Sequence, residues 1–348
     1  MLPQILPKEK VSSFVKLLQQ TYRVVGPTVK EKGFYDYQPI DDPEELTLDY
    51  NITVASPKRY FFPAFDVLLK YQKEQAKDIL KSQVEVERTV LFGVHPCDIY
   101  ATWVLDDVFS KDTKDPYYLA RRERAVIIGL DCNKPCDEKS FCFDMGSLNT
   151  DKGFDLMLTD IGDRYYVEVA TDLGQNLIEQ SDDFAPASSA DHSALQKFKE
   201  AKQSNFKHKI PYDTKYLPEL LEHSYDSLIW EANARRCFSC GQCNLICPTC
   251  YCFDILDEDE ITLKEGQRVR KWDGCQLRGF AEVAGGENFR PNAGERLRHR
   301  MMRKGHYMKL LFGKLGCVGC GRCDRNCPAD ISVLRTYQQI AAANEAAV

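Results

Sequence analysis

The chain has 348 residues, of which 43% are hydrophobic and 28% charged, enough for two or three globular domains. Its net charge of −6 argues against a general nucleic-acid-binding protein, and it contains no apolar run of about 18 residues that predicts a membrane span. The N-terminus resembles neither a signal peptide nor a twin-arginine export tag. Together with fifteen cysteines, eleven of them within 237–327, this predicts a cytoplasmic metal-binding protein rather than a disulfide-bonded one.

The first 180 residues are predicted to form an α/β domain. Residues 8–22 have the apolar spacing of an amphipathic helix, and FDVLLKYQKEQAKDIL (65–80) is interpreted as another helix. TVLFGV (89–94) and AVIIGL (125–130) are typical of short buried strands, and the partly helical stretch between them favours a parallel βαβ pair. FDLMLTDIGDRYYVEVAT predicts a β-hairpin around Gly162.

Thiols follow both predicted parallel strands. Cys97 and Cys132 lie just beyond the two strand ends, the edge where α/β sheets usually bind ligands, with Cys136 and Cys142 close behind. These four cysteines either share a further metal site or are buried thiols without a redox role.

A polar linker is predicted at 181–216, followed by a domain at 217–348. Helical periodicity is visible in LPELLEHSYDSLIWEANA, in GERLRHRMMRKGHYMKLLF and after residue 330. We therefore expect an all-helical two-cluster domain of ferredoxin type.

Two cysteine runs in this domain repeat one pattern, C-x2-C-x2-C-x3-C-P, at 237–248 and 317–328. Three such thiolates bind three irons of one cubane, and the fourth, beside proline, reaches the other cluster. A zinc ribbon would show paired C-x2-C units instead. One [4Fe–4S] cluster is therefore assigned to Cys237, Cys240, Cys243 and Cys327, and the other to Cys317, Cys320, Cys323 and Cys247.

Three cysteines near the first run remain unassigned. Cys250, Cys252 and Cys275 are either buried thiols or a further metal site. The spacing of Cys136, Cys142, Cys243 and Cys247 formally fits a sirohaem pattern, but the ferredoxin-type run already uses the last two.

No sequence pattern predicts catalysis. The chain shows neither a dinucleotide-binding fingerprint nor a P-loop, and no acid–base or nucleophile constellation, so no catalytic residue is assigned. Residues 264–309 hold twelve Lys or Arg and five Asp or Glu, about +7. This segment is interpreted as a solvated face, as counter-charge for the clusters, or as a docking surface for an acidic partner.

Several motifs carry a family resemblance. CFSCGQCNLICPTCYCFD, RKWDGCQLRGFAEVAGGENFR, GERLRHRMMRK and CVGCGRCDRNCP resemble an iron–sulfur subunit found in two cytosolic assemblies, as do GVHPCDIYA and FCFDMGS. These are the beta subunit of sulfhydrogenase, a nickel–iron hydrogenase, and the corresponding iron–sulfur subunit of anaerobic sulfite reductase. In the sulfite reductase branch a CFC triplet is expected where this chain has SFCF, so Ser140 stands in place of a thiol.

The resemblance implies an electron carrier of anaerobic metabolism. Its partners would be an FAD-containing NAD(P)H-linked subunit and a catalytic subunit, either a hydrogenase or a sirohaem sulfite reductase. Two alternatives are a self-contained reductase that uses the N-terminal domain as a substrate or cofactor site, and a diffusible two-cluster ferredoxin.

Overall fold

The structure, a computed structural model, describes residues 2–74, 77–82, 84 and 86–345. Its strands are β1 (Gln4–Pro7), β2 (Arg23–Glu31), β3 (Phe34–Pro39), β4 (Phe65–Glu74), β5 (Lys77–Ser82), β6 (Thr89–Val94), β7 (Ala125–Leu130), β8 (Leu156–Asp160), β9 (Arg164–Val169), β10 (Ala185–Pro186), β11 (Phe253–Asp259) and β12 (Glu265–Trp272). Its helices are α1 (Val11–Gln19), α2 (Pro96–Ser110), α3 (Pro116–Glu123), α4 (Asp172–Glu179), α5 (Ser189–Asn205), α6 (Leu217–His223), α7 (Ile229–Ala234), α8 (Gln242–Leu245), α9 (Ala293–Met302), α10 (Met308–Phe312), α11 (Arg322–Arg325) and α12 (Val333–Glu345).

A mixed eight-stranded sheet organises the N-terminal region, in the order β10-β1-β9-β8-β7-β6-β2-β3. Its central strands β2, β6, β7 and β8 are parallel. Alternate residues of these strands enter two different core clusters, one containing side chains of α1 and α4, the other side chains of α2 and α3. Because successive residues of a strand point to opposite faces, the sheet is covered by helices on both sides.

Several predicted elements of this region are confirmed. Strands β6 and β7 span the predicted residues and pair in parallel, with α2 and α3 between them. The hairpin is formed by β8 and β9, and α1 lies within the predicted first helix. Buried apolar runs identified the strands reliably because both faces of the sheet are covered.

The helix predicted at 65–80 is wrong. The segment forms the antiparallel strands β4 and β5, and residues 75 and 76 lie outside the described part of the chain. Its apolar residues fit a helical spacing, but long-range pairing of β4 with β12 decides the structure. Such tertiary contacts override a weak local preference.

The predicted all-helical C-terminal domain is also wrong. A four-stranded antiparallel sheet has the order β11-β12-β4-β5, so two strands from between the cysteine runs pair with two from the N-terminal region. Strand β11 is almost wholly exposed, so its sequence has no clear apolar alternation. Arg270 of β12 is buried and binds Asp66 of β4 at 2.8 Å, an ion pair that local sequence patterns do not reveal.

The helices around the cysteine runs enclose a separate core. Buried residues of α6, α7, α9 and α12 form one apolar cluster, which also contains Phe141 and Met145 from the N-terminal region. Helices α9 and α10 are joined by a π-helical turn, Arg303–Tyr307. No helix in the described part of the chain is long and apolar enough to cross a membrane.

The segment predicted as a polar linker contains β10 and α5. Helix α5 buries Phe198 and Lys202, and Lys202 Nζ binds the Asp131 carboxylate at 2.5 Å, just beyond β7. The predicted boundaries 1–180, 181–216 and 217–348 remain predictions.

Candidate metal centres

The two cysteine runs have the same backbone conformation. Gly241 and Gly321 each have a φ of 72°, in the left-handed region, and each precedes a one-turn helix, α8 or α11. A side chain would be strained at this φ, which explains why glycine stands at the same place in both runs. The repeat seen in the sequence is therefore a structural repeat.

In both runs a backbone N–H points at the first sulfur. The N–H of Ser239 donates to Cys237 Sγ with an N···S distance of 3.4 Å, and that of Gly319 donates to Cys317 Sγ at 3.5 Å. Both donor residues have positive φ values, 53° and 63°. Hydrogen bonds of this kind stabilise thiolate ligands and tune the reduction potential of a cluster.

The two runs lie against each other, because α8 contacts α11. Burial raises the pKa of the Cys317 thiol to about 12 and that of the Cys323 thiol well above its usual range, and the charge of Cys247 adds to both shifts. Cys247 Sγ lies 3.4 Å from Thr249 Oγ1, which donates to the carbonyl oxygen of Gly316 just before the second run, so Cys247 of the first run lies beside the second. Cys327, at the end of the second run, accepts an N–H bond from Ile331 at 3.3 Å. Its assignment to the first cluster stays a prediction.

The two runs differ in their exposure. Cys240 in the first run is exposed, and the neighbouring Phe238 side chain is 72% exposed. Cys320, the corresponding thiol of the second run, is buried against the N-terminal region. One run is therefore open to a partner, and the other faces the interior.

Buried cations lie between the runs. Arg300 of α9 is 4% exposed, and its Nε has no hydrogen-bond partner among the residues that the structure describes. Burial lowers the pKa of Arg300, but the charges of Cys243 and Cys323 outweigh this and raise it. Lys304 is also buried and donates to Thr249 Oγ1 at 2.5 Å.

These cations fit an anionic metal centre. Within the described residues, neither Arg300 nor Lys304 forms an ion pair with a carboxylate. A buried charge normally needs a partner, and thiolate-bound iron–sulfur clusters would supply negative charge at this position. The donor set and its surroundings therefore fit [4Fe–4S] clusters.

The unassigned thiols near the first run line a cavity of about 330 Å³. The amide of Asn244 donates to Cys275 Sγ at 3.4 Å and lies 3.6 Å from Cys250 Sγ. Cys252 and Arg303 also line this cavity. The structure thus gathers Cys250, Cys252 and Cys275, and both interpretations from the sequence, buried thiols or a metal site, remain open.

The four N-terminal thiols are also brought together. Cys97, Cys132, Cys136 and Cys142 line one narrow cavity, and Cys320 of the second run lines it as well. Among the described residues, no group of three or more His, Cys, Asp or Glu side chains is arranged to hold a single metal ion. The ligands of a cubane each bind a different iron, so they stand farther apart than the ligands of one ion.

Sequence reasoning missed the polar residues that support the thiols. Asn244 and Arg300 lie beside the first run, while Arg322 and Asp98 form a buried ion pair beside the second. Arg322 and Asp98 each adjoin a cysteine in the sequence. Their position next to a cysteine was the only hint in the sequence. It could not show that they pair, because more than two hundred residues separate them.

Comparison with known proteins agrees with this geometry. Residues 236–331, which contain both runs, match the model of a family described as a 4Fe-4S dicluster domain. The repeated runs and this match define an iron–sulfur electron-transfer protein that binds [4Fe–4S] clusters.

A relative extends the comparison to nearly the whole chain. The protein is 33% identical over 339 residues to sulfhydrogenase 2 subunit beta of Pyrococcus furiosus, covering 96% of this chain and 97% of the relative. The chain belongs to the family of sulfhydrogenase beta subunits. No solved structure matches it.

Proposed function

We propose that this chain is the electron-transfer subunit of a multi-subunit cytoplasmic oxidoreductase. It would relay electrons between an FAD-containing NAD(P)H-linked subunit and a catalytic subunit, either a nickel–iron hydrogenase or a sirohaem sulfite reductase. The observation that carries the proposal is the pair of ferredoxin-type runs, which share one backbone conformation and lie against each other. The related Pyrococcus furiosus protein is itself a sulfhydrogenase subunit.

The proposal assigns two [4Fe–4S] clusters with crossed ligands. One is held by Cys237, Cys240, Cys243 and Cys327, the other by Cys317, Cys320, Cys323 and Cys247. The charge of Cys247 acts on the thiols of Cys317 and Cys323, which supports the crossing of this thiol to the second run. These two clusters are the minimum content, and the N-terminal thiols are the candidates for a third metal site.

The surrounding residues supply what such clusters need. A bound [4Fe–4S] cluster accepts and releases one electron at a time. Arg300 and Lys304 offset the negative charge between the runs, and the N–H groups of Ser239 and Gly319 donate to thiol sulfurs. Exposed Cys240 and Phe238 give the first run a surface at which a redox partner can approach.

One observation favours a second candidate function, a self-contained reductase. A cavity of about 290 Å³ lies beyond the ends of β6 and β7 and is lined by His95, Asp131 and Tyr50. Its size and its place at this edge suit a small ligand. An electron-transfer subunit needs no such cavity, whereas a self-contained reductase would bind its substrate there. Measuring substrate turnover by the isolated chain therefore distinguishes the two functions.

The test uses the tagged full chain, purified without oxygen from cells that produce it naturally. We expect an FAD protein and a hydrogenase or sulfite reductase subunit to co-purify. NADH or NADPH should bleach the clusters of this complex, and protons or sulfite should reoxidise them.

Isolated chain should be reduced by dithionite yet turn over neither NAD(P)H nor sulfite. Turnover by the isolated chain would contradict the proposal and support the self-contained reductase. A chain that purifies alone but exchanges electrons with added flavoproteins would favour a diffusible ferredoxin.

A further inference from the structure

The sheet topology collects four thiols at one edge. Cys97 begins α2 directly after β6, and Cys132 lies two residues after the end of β7. The loop that follows β7 then carries Cys136 and Cys142 back to the same place. All four thiols line one cavity, together with buried Cys320. Four thiols are a complete ligand set for a cubane, with none left over.

The loop that carries two of these thiols is built onto the second cysteine run. The N–H of Phe141 donates to the carbonyl oxygen of Gly319 at 2.7 Å, and Ser147 Oγ donates to that of Val318 at 2.6 Å. A Cβ at Gly319 would lie 2.5 Å from the backbone of Phe141, so the two backbones are as close as glycine permits. The thiol group and the second run therefore form one packed unit.

Cationic side chains surround this group of thiols. Arg322 is buried between Asp98 and Thr53, and the charges of Arg325 and Arg322 act on the thiol of Cys136. Lys134 lines the cavity itself. Burial raises the pKa of Cys142 to about 12, with contributions from Cys136 and Cys320. Coordination to a metal deprotonates such thiols outright, and the cations then stabilise the anionic centre.

The cavity shared by the four thiols is narrow, about 10 Å³, but it adjoins the 290 Å³ cavity. The two cavities have His95, Cys132, Lys134 and Cys136 in common. A cluster bound by all four thiols would need Cys132 and Cys136, which are only half-buried, to face the larger cavity.

We propose that Cys97, Cys132, Cys136 and Cys142 hold a third [4Fe–4S] cluster, which exchanges single electrons with the cluster held in part by Cys320. The proposal rests on the function proposed above, because it needs a redox cluster at the second run. All-thiolate sites bind either zinc or iron–sulfur clusters. The cavity shared with Cys320 favours an iron–sulfur cluster over zinc, because a cluster there could exchange electrons with the neighbouring one. The electron lost by one cluster is gained by the other, so no co-reactant is needed. Electrons would then pass from the exposed first run, through the second, to the edge of the large sheet.

The test measures iron and zinc in the full chain, prepared and reconstituted without oxygen. Three cubanes predict about twelve irons per chain, against about eight for two. Cys136→Ser should lose about four irons and one signal in the electron paramagnetic resonance (EPR) spectrum of the reduced protein. Ser140→Ala is the matched control, because it removes a buried hydroxyl from the same loop without removing a thiol, and it should retain about twelve irons.

Each contrary result overturns a defined part of the account. About eight irons with one zinc, or about eight irons without zinc, would overturn the third cluster alone. About twelve irons that persist in Cys136→Ser would place the extra cluster elsewhere and overturn this assignment. If Cys136→Ser does not fold, the iron content of the unmodified chain still decides whether a third cluster exists, and the iron content of Cys132→Ser then tests its position. Cys240→Ser tests the proposed function separately, since an unchanged iron content there would remove the first cluster from the account.

Discussion

Buried charge is the dominant feature at the level of single residues. Arg322 and Asp98 are 1% and 2% exposed and bind each other through two hydrogen bonds, of 2.6 and 2.7 Å. Arg322 also donates to the carbonyl and hydroxyl oxygens of Thr53, both at 2.9 Å. Since Arg322 adjoins Cys323 and Asp98 adjoins Cys97, this pair ties the second run to the N-terminal thiols.

Arg322→Met should therefore be strongly destabilising. It leaves the Asp98 carboxylate buried without its cation, which typically costs about 3–5 kcal/mol. The unfolding temperature should fall and iron should be lost. Arg23→Met is the control, because its pair with Glu87 has exposed side chains and such pairs contribute about 0–1 kcal/mol. Equal stability of the two variants, measured by calorimetry with iron content, would show that the buried pair contributes little.

The cysteine spacing predicted the candidate ligands, but the charge pattern was less informative. Four cations of the basic segment 264–309 are buried, namely Arg270, Arg296, Arg300 and Lys304. Several others pair with carboxylates, as Arg268 does with Asp257. A count of charges cannot distinguish internal from external cations, because burial depends on which distant elements pack together. Arg300 and Lys304 suit counter-charge for the clusters, whereas Arg270 pairs with Asp66 and Asp115 instead.

At the level of elements, the contact between the loop after β7 and the second run leaves the least room for a larger side chain. Gly319 has a φ of 63° and lies against the backbone of Phe141 and Cys142. Gly313 has a similar φ of 70°, but a Cβ there would meet no atom of the described part of the chain within 4 Å. The two glycines therefore separate the cost of backbone strain from the cost of a clash.

We expect Gly319→Ala to be much more damaging than Gly313→Ala. Both variants carry the strain of a left-handed residue with a side chain, about 1–2 kcal/mol. Only Gly319→Ala must also displace the loop, so it should lower the unfolding temperature further and reduce the iron content. If both variants lose the same stability and keep the same iron, the loop does not depend on this close approach.

The elements that the sequence predicted poorly are those stabilised by distant partners. Strands β6 and β7 carry their own signal, because a strand covered on both faces is apolar throughout. The second sheet lacks strands that are apolar throughout. It consists of β4, β5, β11 and β12, and it joins segments nearly two hundred residues apart in the sequence. Neither the spacing of apolar residues nor the strand propensity of a segment predicts pairing with a distant segment.

At the level of the whole molecule, the cysteine groups form a series. The first run reaches the surface at Cys240, the second run lies behind it, and the N-terminal thiols share a cavity with Cys320. A third cluster at the N-terminal thiols would make the large sheet and the cysteine runs parts of one electron path. The candidate ligands were predictable because spacing along the chain determines cubane ligation, whereas their arrangement as a series depends on tertiary contacts.

Crossed ligation of the two ferredoxin-type clusters can be measured by EPR spectroscopy of three reduced variants. Cys240→Ser marks the signal of the first cluster, and Cys323→Ser marks that of the second. If the ligands cross, Cys327→Ser, although it lies in the second run, loses the same signal as Cys240→Ser and keeps the one marked by Cys323→Ser. Loss of the signal marked by Cys323→Ser instead would contradict crossed ligation, because Cys327 would then belong to the cluster of its own run.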